Sequence, residues 1–159
     1  MIFVTVGMNN LGFNRLIMEM DRIAPGFNEE IIMQIGNTSF TPKNTKYFDY
    51  KKKNEMDTLY ENARIVISHG GAGSIINILK RNKRAIIVPR QQKYGEIFDD
   101  QQIELARELS QDGSVVMVCD VSKLQNVLLK LSTEAITQKH VKREYLIDKL
   151  NEYILSSDC

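Results

Sequence analysis

Short apolar runs and helical periods alternate along the chain. Ile2-Phe3-Val4-Thr5-Val6 is a β-branched run closed by Gly7, the signal of a buried strand. From Phe13 to Ile23 apolar residues fall at 13, 16, 17, 20 and 23, the period of an amphipathic helix, which Pro25-Gly26 stops. Further strands are predicted over 30–35, 47–50, 64–68, 85–88 and 115–118. Further helices are predicted over 55–62, 74–80, 99–109, 121–131 and 141–154. Strands of four to six residues alternating with helices imply an α/β fold, a Rossmann-like parallel sheet with helices on both faces. Such sheets bind ligands where loops leave the carboxyl ends of the strands, which singles out the segments after Val6, Ser68 and Val88. No internal repeat, low-complexity segment or linker interrupts the pattern.

Composition narrows the class. The 159 residues suit one domain over 1–159, and 43% hydrophobic with 26% charged residues is ordinary for a globular chain. Lys+Arg 21 against Asp+Glu 20 leaves a net charge of +1, which argues against a general nucleic-acid binder. No apolar stretch approaches the roughly 20 residues of a membrane span. The start, Met1-Ile2-Phe3-Val4, lacks the basic opening of a signal peptide, so a cytoplasmic domain is expected. Cys119 and Cys159 lie far apart and form no metal or redox spacing.

The most informative segment is Ser68-His69-Gly70-Gly71-Ala72-Gly73-Ser74-Ile75-Ile76-Asn77. It joins a predicted buried strand to a helix, so unpartnered N–H groups and the positive end of the helix dipole emerge together. Phosphate is the natural guest there. Gly70, Gly71 and Gly73 remove side chains that would hold a diphosphate off the backbone, and Ser74 can add a hydroxyl or cap the helix. A tight turn needing glycine for its dihedrals alone is the plainer alternative; three glycines in four residues beside Ser and His favour phosphate. The NAD fingerprint and the kinase-type P-loop are both absent.

Taken together, Ile2 to Gly7, Ile67 to Ile75, Val88-Pro89-Arg90, Tyr94-Gly95-Glu96 and Asp99-Asp100-Gln101-Gln102 resemble, in the same order, family 28 glycosyltransferases. The likeness is to the C-terminal, nucleotide-sugar-binding half of GT-B enzymes. More narrowly it is to the stand-alone (PssE-type) subunits of two-part transferases in exopolysaccharide, capsule and dolichol-linked synthesis. The resemblance implies a UDP-sugar held by Gly70, Gly71, Ala72, Gly73 and Ser74, with Gly7 and Asn9 in a first loop facing the diphosphate. It implies a ribose contact at the position of Asn77, where the family usually has a carboxylate, and donor-sugar contacts from Asp100, Gln101 and Gln102. Asn9 can equally open the following helix. Arg90 can pair with phosphate or with Glu96, and charge stabilisation at a helix start explains at least one of Asp99 and Asp100.

Inverting transfer needs a base for the acceptor hydroxyl. Glu96 is the carboxylate candidate and His69 the imidazole at the binding edge, although phosphate contact or loop bracing suits His69 better; His140, among Gln138, Lys139 and Lys142, reads as solvated. The resemblance implies that a membrane-anchored, acceptor-binding partner supplies the base wholly or in part. The expected reaction moves a hexose, galactose first, from a UDP-sugar to a lipid-diphosphate-linked acceptor at the inner face of the membrane. No metal is expected: there is no Asp-x-Asp, and amides at a helix start can stabilise the leaving diphosphate. A non-catalytic nucleotide-sugar-binding regulatory subunit is the alternative.

Val141, Tyr145, Ile147, Leu150, Tyr153 and Ile154 give the last helix, about 138–155, an apolar stripe suited to a partner or to this domain's own sheet. Lys51-Lys52-Lys53 and Arg81-Asn82-Lys83-Arg84 are solvated loops, or together a surface worth about 1 kcal/mol per residue near an anionic membrane.

Overall fold

In the computed structural model, which describes residues 1–111, 113–133, 147–148 and 150–152, six parallel strands lie in the order β3-β2-β1-β4-β5-β6. They are β1 (Ile2–Thr5), β2 (Ile31–Gln34), β3 (Lys46–Phe48), β4 (Ile65–Ser68), β5 (Arg84–Ile87) and β6 (Val116–Met117). Between them run α1 (Asn14–Ile23), α2 (Lys53–Asn62), α3 (Ala72–Lys80), α4 (Gln101–Gln111) and α5 (Leu124–Thr133).

The two-residue period of a strand sorts β1 onto two cores. Ile2, Val4 and Val6 pack with Ile31, Met33, Ile65 and Ile67 against α1 and α5. Phe3 points the other way, joining Val66 and Ile87 beneath Tyr60 of α2, Ile75 of α3 and Ala106 of α4. Its ring stacks with Phe48 and meets Tyr60 edge-on. Both faces are therefore covered, which is why the central strands read as unbroken apolar runs.

Several boundaries move, for local reasons. Helix α3 starts at Ala72, with Gly71 as its N-cap, rather than at Ser74. Helix α4 starts at Gln101 rather than Asp99, because the Asp99 carboxylate accepts the Gln101 N–H at 3.0 Å and opens the helix. A 3-10 turn over Val121–Lys123, held by Asp120 accepting the Ser122 N–H, precedes α5.

At the opposite end of the sheet from the strand-to-helix loops, buried Asp21 anchors the connection to β3. Its carboxylate accepts N–H bonds from Lys43 and Asn44 at 3.0 and 2.8 Å, and side-chain bonds from Asn44 and Thr45.

The predicted basic surface is largely spent inside the domain. Arg81 pairs with Asp57 and Glu61, Lys83 donates to the Glu61 carbonyl, Arg84 to the Leu131 carbonyl, and Lys51 pairs with Glu55. The 81–84 cluster is thus paired within the domain, while Lys52 and Lys53 stay exposed, as a solvated loop would have them. Of the last helix, Leu150 is buried in the second core and Ile147 packs against it, so these two stripe residues serve this domain's own sheet. Val141, Tyr145, Tyr153, Ile154 and His140 lie outside the described residues. Among the described residues no helix is long and apolar enough to cross a membrane.

Candidate functional site

The chain winds outward from β1 to β2 and β3, then returns to lay β4 on the other side of β1. That reversal splays the loops leaving β1 and β4 and opens a crevice at their carboxyl ends. The first loop (residues 6–13), the glycine turn (69–71) and the loop after β5 (88–100) meet there.

At the glycine turn the backbone N–H of His69 extends the ladder by donating to the Thr5 carbonyl at 3.2 Å. Gly70 then takes φ +91°, and a side chain there would press within 3.0 Å of Ile87. Helix α3 follows with no side-chain cap on its first turn, so its opening N–H groups remain available to a ligand. Gly73 faces open space.

The His69 ring decides two of the glycines. A Cβ on Gly7 would lie 2.6 Å from its Cε1, and one on Gly71 2.4 Å from its Nε2. The imidazole is thus wedged between the first loop and the glycine turn. Gly71 is glycine first to admit that ring, a reason that neither phosphate approach nor dihedral freedom supplies. Buried His69 has its Nδ1 3.4 Å from the Thr5 carbonyl. Burial, and secondarily the Arg90 charge, hold its pKa down at about 4 against the pull of that carbonyl. It is neutral at pH 7 and brings no cation to a phosphate.

Linkage gives this a measurable consequence. An imidazole whose folded pKa of about 4 lies below the ordinary 6.5 makes the unfolded chain the better proton binder between those values. Its contribution is complete above pH 6.5 and is lost as pH falls toward 4, at up to about 1.4 kcal/mol per pH unit. Urea unfolding of a His69→Asn variant between pH 7 and 5 is expected to show a shallower pH slope than the native chain.

Beneath the turn lies a hydroxyl network. The Thr5 hydroxyl donates to the Gln34 amide oxygen at 2.5 Å, and burial raises the pKa of the nearby Tyr60 hydroxyl against the pull of the Ser74 and Thr5 hydroxyls. Ser74 lies half-buried on the first turn of α3, near the Tyr60 hydroxyl. Asn77 is occupied: its Nδ2 donates to the Gly73 carbonyl at 3.0 Å and its Oδ1 accepts from Arg81 at 2.9 Å. The ribose contact implied at this position is not formed by a free side chain. Asn9 folds its own loop, its Oδ1 accepting the Leu11 N–H at 2.8 Å.

Arg90 is fully buried. Its guanidinium donates to the backbone carbonyls of Val6, Leu11, Gly12 and Glu96 at 2.8–3.1 Å. It does not face a phosphate and does not bond the Glu96 carboxylate. That carboxylate goes to Arg15 of α1, in a forked pair at 2.9 and 2.8 Å, and to the Gln91 N–H at 3.0 Å. Both expectations for Glu96, acceptor base and partner of Arg90, are corrected: its oxygens are committed to Arg15 and the loop backbone. Asp100 is also structural, accepting the Gln92 N–H at 2.9 Å. Gln101 is exposed at the start of α4, while the Gln102 Oε1 is buried with no hydrogen-bond partner among the described residues. Its backbone oxygen would lie 3.9 Å from a Gly70 Cβ, which places this acceptor beside the glycine turn.

Arg15, Thr5 and Tyr60 escape a motif search. Arg15 sits on the flank of the α1 apolar stripe, where a long cation usually reads as solvated; only the return of the β5 loop over α1 shows its partner. Met8 and Phe98, each 82% exposed, form an apolar rim on the first and third loops. Among the described residues no group of three His, Cys, Asp or Glu side chains is placed to hold a metal ion.

Similarity to known proteins agrees with this architecture. The human UDP-N-acetylglucosamine transferase subunit ALG13 is 31% identical over 124 residues, 70% of this chain and 10% of that protein. The ALG13 of Cryptococcus neoformans is 35% identical over 112 residues, 63% of this chain and 52% of that protein. This chain thus spans about half the length of the fungal relative and a small part of the human one. Among solved structures, the kitacinnamycin glycotransferase superposes with a TM-score of 0.67 at 14% identity, covering 94% of this chain and 38% of the other. Acinetobacter baumannii MurG superposes with a TM-score of 0.59 at 16% identity, covering 94% and 49%. Those structures share the fold, which identifies the sheet as the Rossmann-like C-terminal half of a GT-B architecture. Residues 1–154 match the glycosyltransferase family 28 C-terminal domain, and the chain belongs to that family.

Proposed function

We propose that this chain is the donor-binding subunit of an inverting glycosyltransferase that takes a hexose from a UDP-sugar. The observation that carries the reading is the uncapped start of α3 at the topological switch point, facing the first loop across the His69 wedge. Relatives named as UDP-N-acetylglucosamine transferase subunits supply the nucleotide. They put N-acetylglucosamine beside galactose as the sugar to assay first. The diphosphate rests on the opening N–H groups of α3, Gln101 and Gln102 face the sugar, and the leaving UDP is stabilised by amide dipoles without a metal.

The acceptor is lipid-diphosphate-linked, and a membrane-anchored partner binds it. Support for the partner comes from the chain itself. Glu96 is locked to Arg15, and His69 is buried and wedged, so neither is free to take the acceptor proton. The base then belongs to the partner, and the assembly works at the inner face of the membrane. The same observation favours a second reading, a subunit that binds nucleotide-sugar and regulates a transferase without reacting.

Calorimetric titration with UDP, with and without EDTA, tests the donor site; binding is expected in both, and none at millimolar UDP would overturn both readings. Gln102→Ala in the reconstituted pair separates them: turnover falls if this chain holds the reacting sugar and is untouched if it only regulates.

A further inference from the structure

Three charged side chains are packed under the first and third loops. Arg90 gathers carbonyls from both loops, Arg15 crosses from α1 to the Glu96 carboxylate, and Arg15 also donates to the carbonyls of Pro89 and Cys119 at 3.0 Å. Both guanidinium groups lie over the Phe13 ring, their central carbons 4.7 Å (Arg90) and 5.3 Å (Arg15) from its centroid. Two cations and one carboxylate leave one net positive charge. His69, on the far side of Gly7, is neutral and adds none. The other charges near this cluster, Asp120 beside Arg15 and Lys93 over the Tyr94 ring, are exposed and screened by solvent.

We infer that buried Arg90 and Glu96, with the partly buried Arg15, form a singly positive platform that favours a nucleoside diphosphate over the uncharged nucleoside without touching it. This rests on the donor-binding reading above. Two physical arguments carry it. First, a charge with no solvent exposure acts through a low-dielectric layer of backbone, here the first loop itself, so it reaches the crevice far less attenuated than a surface lysine would. Secondly, the carbonyl and N–H of a trans peptide point opposite ways. The Leu11 carbonyl drawn down onto the guanidinium turns the Gly12 N–H away from it, toward the loop's outer side, while the Gly7 N–H is held inward by the Thr5 hydroxyl at 3.4 Å. Arg90 is therefore a positioning residue and an electrostatic one, not a catalytic residue, and Glu96 tempers its charge.

The test compares UDP with uridine by titration of the whole chain. Arg90→Met is expected to lower the preference for UDP over uridine, read as the ratio of the two affinities, on the order of tenfold. Arg90→Lys, which keeps the charge but not the fork, should restore the preference. Glu96→Gln removes the negative member and should raise it. That sign is opposite to any loss by loop loosening, so Glu96→Gln decides the matter even where Arg90→Met fails to fold. A wild-type chain that binds UDP, with the same preference in Arg90→Met or a lower one in Glu96→Gln, overturns this inference alone. A Lys variant as poor as the Met variant does the same. A wild-type chain that binds no UDP overturns the donor reading and this inference with it.

Discussion

Gly71→Ala is expected to lower stability by about 1–3 kcal/mol and to weaken UDP binding at least tenfold. The backbone is not the cause: φ −67° and ψ 136° at Gly71 suit any residue. The new methyl would stand 2.4 Å from the His69 Nε2, and the ring cannot swing aside because it is buried against Thr5 and Gly7. Something must shift, and on the donor-binding proposal a shift in the first turn of α3 would disturb the N–H groups assigned to the diphosphate. The double variant His69→Ala/Gly71→Ala removes the obstacle and should recover part of the stability lost by Gly71→Ala, a coupling of about 0.5–3 kcal/mol between neighbours. Urea midpoints of the four members of the cycle measure it; strictly additive losses would show that the wedge is not what makes Gly71 a glycine. Gly7→Ala should cost more than Gly71→Ala, since φ +73° adds backbone strain to a 2.6 Å contact with the same ring.

Asp21→Asn should destabilise the domain by about 1.5–3 kcal/mol while leaving UDP affinity unchanged. The buried carboxylate is the shared acceptor for N–H groups of Lys43 and Asn44 and for side chains of Asn44 and Thr45. An amide in its place turns a donor toward those donors, and burial keeps water from replacing the lost bonds. Because Asp21 works at the end of the sheet remote from the strand-to-helix loops, stability and ligand binding should separate. A fall in UDP affinity matching the fall in stability would show instead that the two ends are coupled.

Much of the site's outline was legible in the chain. The glycine turn, its place between a buried strand and a helix, and its nearness to the first and third loops follow from apolar periods and a handful of glycines, because these are local consequences of backbone geometry. The roles of individual polar side chains were not. Glu96 reads as a base or as the partner of Arg90 until Arg15, 81 residues away, takes its carboxylate. Asn77 reads as a ribose contact until Arg81, itself paired with Asp57, donates to its amide oxygen.

The sequence by itself determined the alternation of strands and helices and the covering of both faces, and it pointed to the edge at which we propose a ligand is met. Those depend on period, length and turn chemistry within short windows. Tertiary structure alone decided which charged and hydroxylated groups are free to meet that ligand. Such groups are satisfied by whichever partner the sheet order brings within about 3 Å, and sheet order is set by long-range pairing that no local window contains. The net charge of +1 shows the difference. Counted along the chain it argues only against nucleic acid; placed by the fold, one uncompensated positive charge lies buried under the loops at the crevice.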